Sequence, residues 1–179
     1  MNMQVNAGIG IGNGEPGGHQ YLTFILADEE YGVEILQVQE IRGWTKTTPI
    51  PNAPSYMKGV INLRGSIVPI IDLRERFHLP PLEYGPTTVV IVVRFHDERD
   101  ADQRDMGIVV DAVSEVYTVD RQTVKAAPKL GGPVGDQFVN GIAMINEKMI
   151  ILLNVDRLKG AAPLVSNESG TTSKRESQL

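Results

Sequence analysis

The feature that most constrains this chain is that it repeats itself. Placed without gaps, residues 31–41 (YGVEILQVQEI) lie over residues 106–116 (MGIVVDAVSEV). Gly32 meets Gly107, Val38 meets Val113 and Glu40 meets Glu115, while Val33/Ile108, Ile35/Val110 and Ile41/Val116 swap one apolar residue for another. A second ungapped pair follows, residues 59–76 (GVINLRGSIVPIIDLRER) over 141–158 (GIAMINEKMIILLNVDRL). Short apolar strings match by chance, but two matches in the same order, at offsets of 75 and 82 residues, identify a duplication. The chain must therefore build one small unit twice.

Each half reads as short strands. In the first they fall at residues 21–27, 31–34, 38–43, 60–63 and 67–71, with an acidic turn at Asp28-Glu29-Glu30 and a Pro-punctuated loop over 47–54. In the second they fall at 87–95, 106–111, 113–118, 139–145 and 149–153. Enrichment in Val, Ile and Thr, bounded by regular turn signals, predicts antiparallel β structure. Arg64-Gly65 and its counterpart Asn146-Glu147 are two-residue turn candidates. About ten short strands in ~140 residues fit barrels better than a sandwich, because closure removes exposed edges. The expected fold is mainly β: two small five-stranded barrels of the OB/SH3-like kind, with short helices over 73–79 and 155–159. Asp72 and Asn154 would cap those helices by accepting first-turn N–H groups.

The ends read differently. Residues 1–18 hold six glycines and one charge, Glu15. The alternating run at Gly8, Gly10, Gly12 and Gly14 lacks the preceding strand and following helix of a phosphate-binding loop, so it reads as a disordered leader. It has no basic or apolar region of a secretory signal. Residues 160–179, rich in Ser, Thr, Gly and Asn, read as a disordered tail. No run approaches the ~18 apolar residues of a membrane span, and a cytoplasmic location is expected.

Composition excludes several chemistries. With no cysteine, the chain has no disulfide, thiolate nucleophile or Cys-based metal site. His19, His78 and His96 are scattered without metal-ligand spacing. There is no nucleophile elbow and no Walker A run. Glu40 and Glu115 are equivalent by the repeat, so a two-carboxylate hydrolase is conceivable, yet a polar residue in a half-buried strand more simply faces solvent or pairs with an Arg. The net charge is −5, of which −3 belongs to residues 96–105 (HDERDADQRD), read as a solvated hairpin loop without EF-hand spacing. With 6% aromatic residues and a near-neutral body, an oligonucleotide-binding barrel lacks its basic groove and stacking rings. No catalytic residue, cofactor or metal is assigned.

Two features point to contact instead. Arg64 sits at the Asn62-Leu63-Arg64-Gly65 turn, where a guanidinium fork can meet a carboxylate or backbone carbonyls. Glu40, Arg42 and Trp44, the single tryptophan, lie along one predicted strand and its exit. Trp44 either packs under the 47–54 loop or anchors an interface.

The strings YGVEILQVQEIRG, IPNAPSYMKGVINLRGSIVPIIDLR, GIVVDAVSEV and MIILLNVDRL closely resemble the CheW family, the coupling proteins of bacterial chemotaxis, over residues 19–159. The resemblance implies two five-stranded barrels with an apolar seam and strands exchanged between them, so that the halves 20–85 and 86–159 need not equal the spatial barrels. It implies a non-enzymatic adaptor that links the cytoplasmic signalling tip of chemoreceptors to the regulatory domain of the histidine kinase CheA. Such a protein is cytoplasmic, held at the inner membrane face by receptor arrays, and monomeric alone. The receptor-facing residues carried over by motif are Ile35, Val38, Glu40, Gly59 and Arg64, with Gly65 and Gly107 serving backbone geometry. The kinase-facing ones are Trp44, Pro49, Pro51, Val139 and Ile142. A coupler of the same kind in another pathway, such as surface motility, is the alternative, and a small-barrel ligand binder is the more distant one.

Overall fold

The computed structural model describes residues 18–96, 102–129 and 134–158. Apart from Gly18, which opens the first strand, the expected leader and the expected tail lie outside the described residues, as do residues 97–101 of the acidic segment.

Ten strands and two short helices follow in order: β1 (Gly18–Leu26), β2 (Glu29–Glu34), β3 (Val38–Gly43), β4 (Met57–Leu63), β5 (Ser66–Asp72), α1 (Leu73–Arg76), β6 (Val89–His96), β7 (Gln103–Val110), β8 (Ala112–Asp120), β9 (Val139–Ile145), β10 (Lys148–Leu153) and α2 (Val155–Leu158). They form two five-stranded sheets, ordered β8-β1-β2-β10-β9 and β3-β6-β7-β5-β4. The two orders are the same once the repeat is applied. Each sheet takes the first hairpin of one half and the last three strands of the other.

The lengths of two connections force this exchange. Within a sheet the third strand of a unit lies beside the first and runs parallel to the second. Returning from the second strand to that place in the same sheet would need a crossover of about a dozen residues. Only the 3-10 turn Ile35–Gln37 joins β2 to β3, and only Asp111 joins β7 to β8. So short a link can carry the chain into the neighbouring sheet and no further round its own. In each sheet the halves meet at two strand pairs, the antiparallel pairs β1 with β8 and β3 with β6, and the parallel pairs β2 with β10 and β5 with β7. Gly32 sits opposite Leu152 and Gly107 opposite Ile70 in those pairs. A Cβ on Gly107 would stand 2.4 Å from Ile70 Cδ1, which explains glycine there by crowding.

Three apolar cores follow from the alternation of side chains. On β6, Val90 and Val92 point into one sheet with Val68, Ile70 and Val109, while Ile91, Val93 and Phe95 point into a shared seam. Both faces of that strand are thus buried, and its run of valines carries no alternation. Tyr21, Val119, Ala143, Ile150 and Leu152 fill the other sheet. The seam holds Leu22, Phe24, Leu26, Tyr31, Phe77, Phe138 and Leu158, and it joins the sheets.

The hairpin turns agree with the sequence in two places and correct it in a third. Arg64 (φ 51°) and Gly65 (φ 88°), like Asn146 (48°) and Glu147 (66°), have positive φ at both central residues, the geometry that matches the strand twist. The first hairpin turns on Ala27 and Asp28 (φ 50° and 65°), so Glu29 and Glu30 begin β2. Glu30 is buried and accepts from Thr23 Oγ1 at 2.8 Å. The 96–105 segment is also shorter as a loop than expected, because His96 pairs with Gln103 and Asp105 is a strand residue bonded to Arg94 Nε at 2.9 Å. Asp72 caps α1, accepting from Glu75 N at 3.2 Å, and α1 is one turn rather than two. The Asn154 amide donates to Asn140 Oδ1 at 3.0 Å.

Candidate functional site

The site grows from the 3-10 turn between the sheets. Ile35 and Val38 are half-buried against the seam, which fixes the turn. Leu36, between them, is 86% exposed. The sequence reading omitted it, although the string ILQV places three apolar residues within four and one turn cannot bury all of them. A rigid turn thus holds a large apolar side chain in water, a geometry suited to a partner.

β3 continues from this turn along one edge of its sheet, and the β4–β5 hairpin forms the other. The edges meet because the chain leaving β3 bends back onto β4. Thr48 N donates to Val60 O and Val60 N to Thr48 O, both at 2.9 Å. The other sheet repeats the bridge between Lys125 and Ile142 at 2.9 and 2.8 Å. Gly59 lies beneath this crossing. Its φ of 124° and a hypothetical Cβ only 2.2 Å from Thr48 O admit no side chain. Gly59 therefore shapes the region and is itself covered.

This crossing brings Glu40, Arg42 and Arg64 together. Arg64 Nη2 stands 3.1 Å from Glu40 Oε2, and Arg42 Nη1 stands 4.0 Å from Glu40 Oε1. The Arg64 contact is an ion pair without hydrogen-bond alignment, for Glu40 Oε2 is buried and has no hydrogen-bond partner. Arg42 Nε is likewise buried and unpartnered. Two guanidinium groups against one carboxylate leave a surplus positive charge, and the Arg64 side chain is 78% exposed. Such a cluster can accept a carboxylate from outside. Gly65, with open space around it, serves the turn, and Asn62 Oδ1 accepts from its N–H at 2.9 Å.

The second set of expected residues divides between the sheets. Trp44 leaves β3, donates its backbone N–H to Thr88 O at 3.2 Å, and tilts against Tyr84 with ring centroids 4.2 Å apart. It is half-buried on the cluster around Val90. Pro49 and Pro51 are exposed in the following loop. Val139 and Ile142 belong to β9 of the other sheet and are half-buried, Ile142 as the bridge partner of Lys125. Glu40 and Glu115 lie on edge strands of different sheets, so the repeat does not make them a carboxylate pair.

The remaining polar cluster is structural. Arg74 grips Asp111 through Nε and Nη2, both at 2.7 Å, and Ala27 N–H donates to Asp111 Oδ2 at 2.9 Å. Burial pushes the Asp111 carboxyl up, but Arg74 and the Ala27 N–H outweigh it and hold the carboxyl below its ordinary value. The Arg74 guanidinium is raised in turn, chiefly by its hydrogen bonds to Asp111. Tyr84 donates to Asp72 at one side of this cluster, and burial first and that bond second push its phenol well above the usual tyrosine range. These groups satisfy one another. Among the described residues no group of three His, Asp or Glu could hold a metal ion.

Comparison with known proteins agrees with this architecture. The family model described as CheW-like domain matches residues 20–161. The chain is 43% identical to the chemotaxis protein CheW of Klebsiella aerogenes over 145 residues, covering 81% of this chain and 84% of that one. It is 37% identical to a probable chemotaxis protein CheW of Rhizobium etli over 142 residues, covering 79% and 88%. Its fold matches the crystal structure of the scaffolding protein TtCheW from Thermoanaerobacter tengcongensis with a TM-score of 0.72 and 33% identity, over 80% of this chain and 93% of that one. The fold and most of the length of the chain thus match proteins of one kind, and the chain belongs to the CheW-like family of chemotaxis proteins.

Proposed function

We propose that this protein is a non-enzymatic adaptor that couples chemoreceptors to the histidine kinase CheA, with its receptor contact on the face made by the Ile35–Gln37 turn, β3 and the β4–β5 hairpin. The observation that carries this reading is that β3 is preceded by an exposed apolar residue, Leu36, and carries Glu40, which meets an exposed cation, Arg64, from the β4–β5 turn. A receptor helix presents apolar anchors at i, i+3, i+4 and i+7 with charged residues beside them. Leu36, with Ile35 and Val38 behind it, offers the apolar seat, and Arg64 the partner for a carboxylate. Glu40 steers Arg64, and Gly59 sets the strand crossing that brings the two together.

The kinase contact is assigned to the exposed 47–54 loop with Pro49 and Pro51, and to Val139 and Ile142 on β9, with Trp44 holding the start of the loop against Tyr84. Separate faces let one protein bridge two partners. Residues 19–159 form the working unit, which acts as a monomer in the cytoplasm, brought to the membrane by receptors. No helix among the described residues is long and apolar enough to cross a membrane.

The test is binding of the purified full chain to a receptor signalling fragment and to the kinase regulatory domain, each without nucleotide. Saturable binding to both supports the adaptor reading. Failure to bind either one refutes it.

A further inference from the structure

Arg76 ends α1 at a position that the repeat gives to Leu158 in α2. Leu158 is fully buried in the seam. Arg76 breaks that equivalence with a charge. Its Cζ lies over the Tyr56 ring at 4.8 Å and over the Phe138 ring at 4.6 Å. These two rings are themselves equivalent, at the offset of 82 residues. Each is held by the same backbone bond: Asp72 N donates to Tyr56 O, and Asn154 N to Phe138 O, both at 2.8 Å. Phe138 is further braced by Phe77, with centroids 5.5 Å apart. The cation is therefore fixed between two anchored aromatics, one leading into β4 and the other into β9.

The rings stabilise its charge but accept none of its in-plane hydrogen bonds. Arg76 Nε is buried with no partner, and no carboxylate among the described residues pairs with this guanidinium. The contrast with Arg74 and Arg94 is direct, since each of those holds an aspartate through two nitrogens. Arg76 is thus a pre-positioned fork for which the described residues supply no complement, a planar carboxylate.

We propose that Arg76, held between Tyr56 and Phe138, is a binding site for a carboxylate supplied by an Asp or Glu side chain of a protein partner. A protein source fits the position. Tyr56 follows the exposed loop that carries Pro49 and Pro51, and Phe138 precedes Val139, so the fork stands where surface segments of both sheets converge. The carboxylate site rests on the geometry, and only its protein source rests on the adaptor reading.

Two variants test it. Arg76→Met keeps an unbranched stem between the rings and removes the fork. Arg76→Lys keeps the charge and removes the bidentate geometry. Calorimetry with the receptor fragment and with the kinase regulatory domain should show Arg76→Met weakening one complex by about tenfold or more, with Arg76→Lys recovering part of the loss. Unchanged affinity for both partners overturns the proposal, and a melting temperature lowered at the same time would identify Arg76 as a structural clamp only. If the native chain binds neither partner, the adaptor reading has failed, and the site is decided by titrating the free protein with succinate while following the Arg76 Nε–Hε NMR signal. A saturable shift absent from the other arginines supports a carboxylate site, and no shift overturns it.

Discussion

Arg64 Nη2 lies 3.1 Å from Glu40 Oε2, and this pair ties the β4–β5 turn to β3 across the two edges of one sheet. The carboxylate side chain is 16% exposed and the guanidinium 78%, so one partner is held by the fold while the other stands in water. A pair of this kind adds little stability, because the exposed cation is screened and gives up side-chain entropy. Its value is positional: Glu40 fixes where a cation is offered.

Reversing that charge separates binding from folding. Arg64→Asp should weaken receptor-fragment binding by tenfold or more, by an order-of-magnitude argument from losing a charge-assisted contact. Thermal unfolding should move by no more than a few degrees, as for a solvent-exposed turn residue. A folded Arg64→Asp protein with native receptor affinity would remove Arg64 from the contact surface.

The two glycines of the NLRG region should behave very differently. Gly59→Ala drives a methyl into Thr48 O at the strand crossing, and a cost of about 3 kcal/mol or more is expected. Gly65→Ala meets no atom within 4 Å and is strained only by its φ of 88°, so it should cost about 1 kcal/mol. Urea unfolding of both variants gives the comparison, and equal losses would contradict the bridged edge.

Stability should fall on the acid side through Asp111. Its folded pKa lies below its unfolded value, so its contribution is complete above the unfolded pKa and disappears as pH drops through the folded one. The expected loss begins near pH 4 and deepens below it. Asp111→Asn leaves Arg74 half-buried without its counter-ion, should cost about 2 kcal/mol at neutral pH, and should flatten this acid limb. Chemical denaturation of both proteins between pH 3 and pH 7, on the order of the carboxylate range, would reveal an unaltered limb if another group were responsible.

Trp44 and Pro49 should part packing from contact. Trp44→Ala removes a ring tilted on Tyr84 and should lower stability by about 2–3 kcal/mol. Pro49→Asp alters an exposed loop position, should leave unfolding almost unchanged, and should weaken kinase-domain binding. Native kinase affinity in Pro49→Asp would move the kinase contact off this loop.

Much of the fold was legible because its signals are local. The strands were marked by β-branched runs, and the Arg64-Gly65 and Asn146-Glu147 turns by their place between such runs. The differences lie at boundaries where a paired polar residue belongs to a strand and not to a loop: Glu30 is covered by Thr23, and Asp105 is held by Arg94. Of the expected residues, Glu40 and Arg64 meet, Ile35 and Val38 pack against the seam, and Gly59 lies under Thr48, and these separate placements did not show in the string. Gly59 is covered by Thr48 and Leu36 is the side chain left outside, a distinction that depends on which neighbour crosses above each position.

The sequence alone determined that one β unit occurs twice, that the hairpins at Arg64-Gly65 and Asn146-Glu147 turn on two residues, and that the chain has no cysteine and only three scattered histidines. Those properties reside in residue type and spacing. The tertiary structure decided which copy completes which sheet. Two similar hairpins have similar propensities, so local pattern cannot choose between them; the three-residue and one-residue links do, once the strand order is known. The same closure decided that Glu40 meets Arg64 and that Arg76 lies between Tyr56 and Phe138. These contacts join residues distant along the chain, and the geometry that brings them together exists only after both sheets have formed.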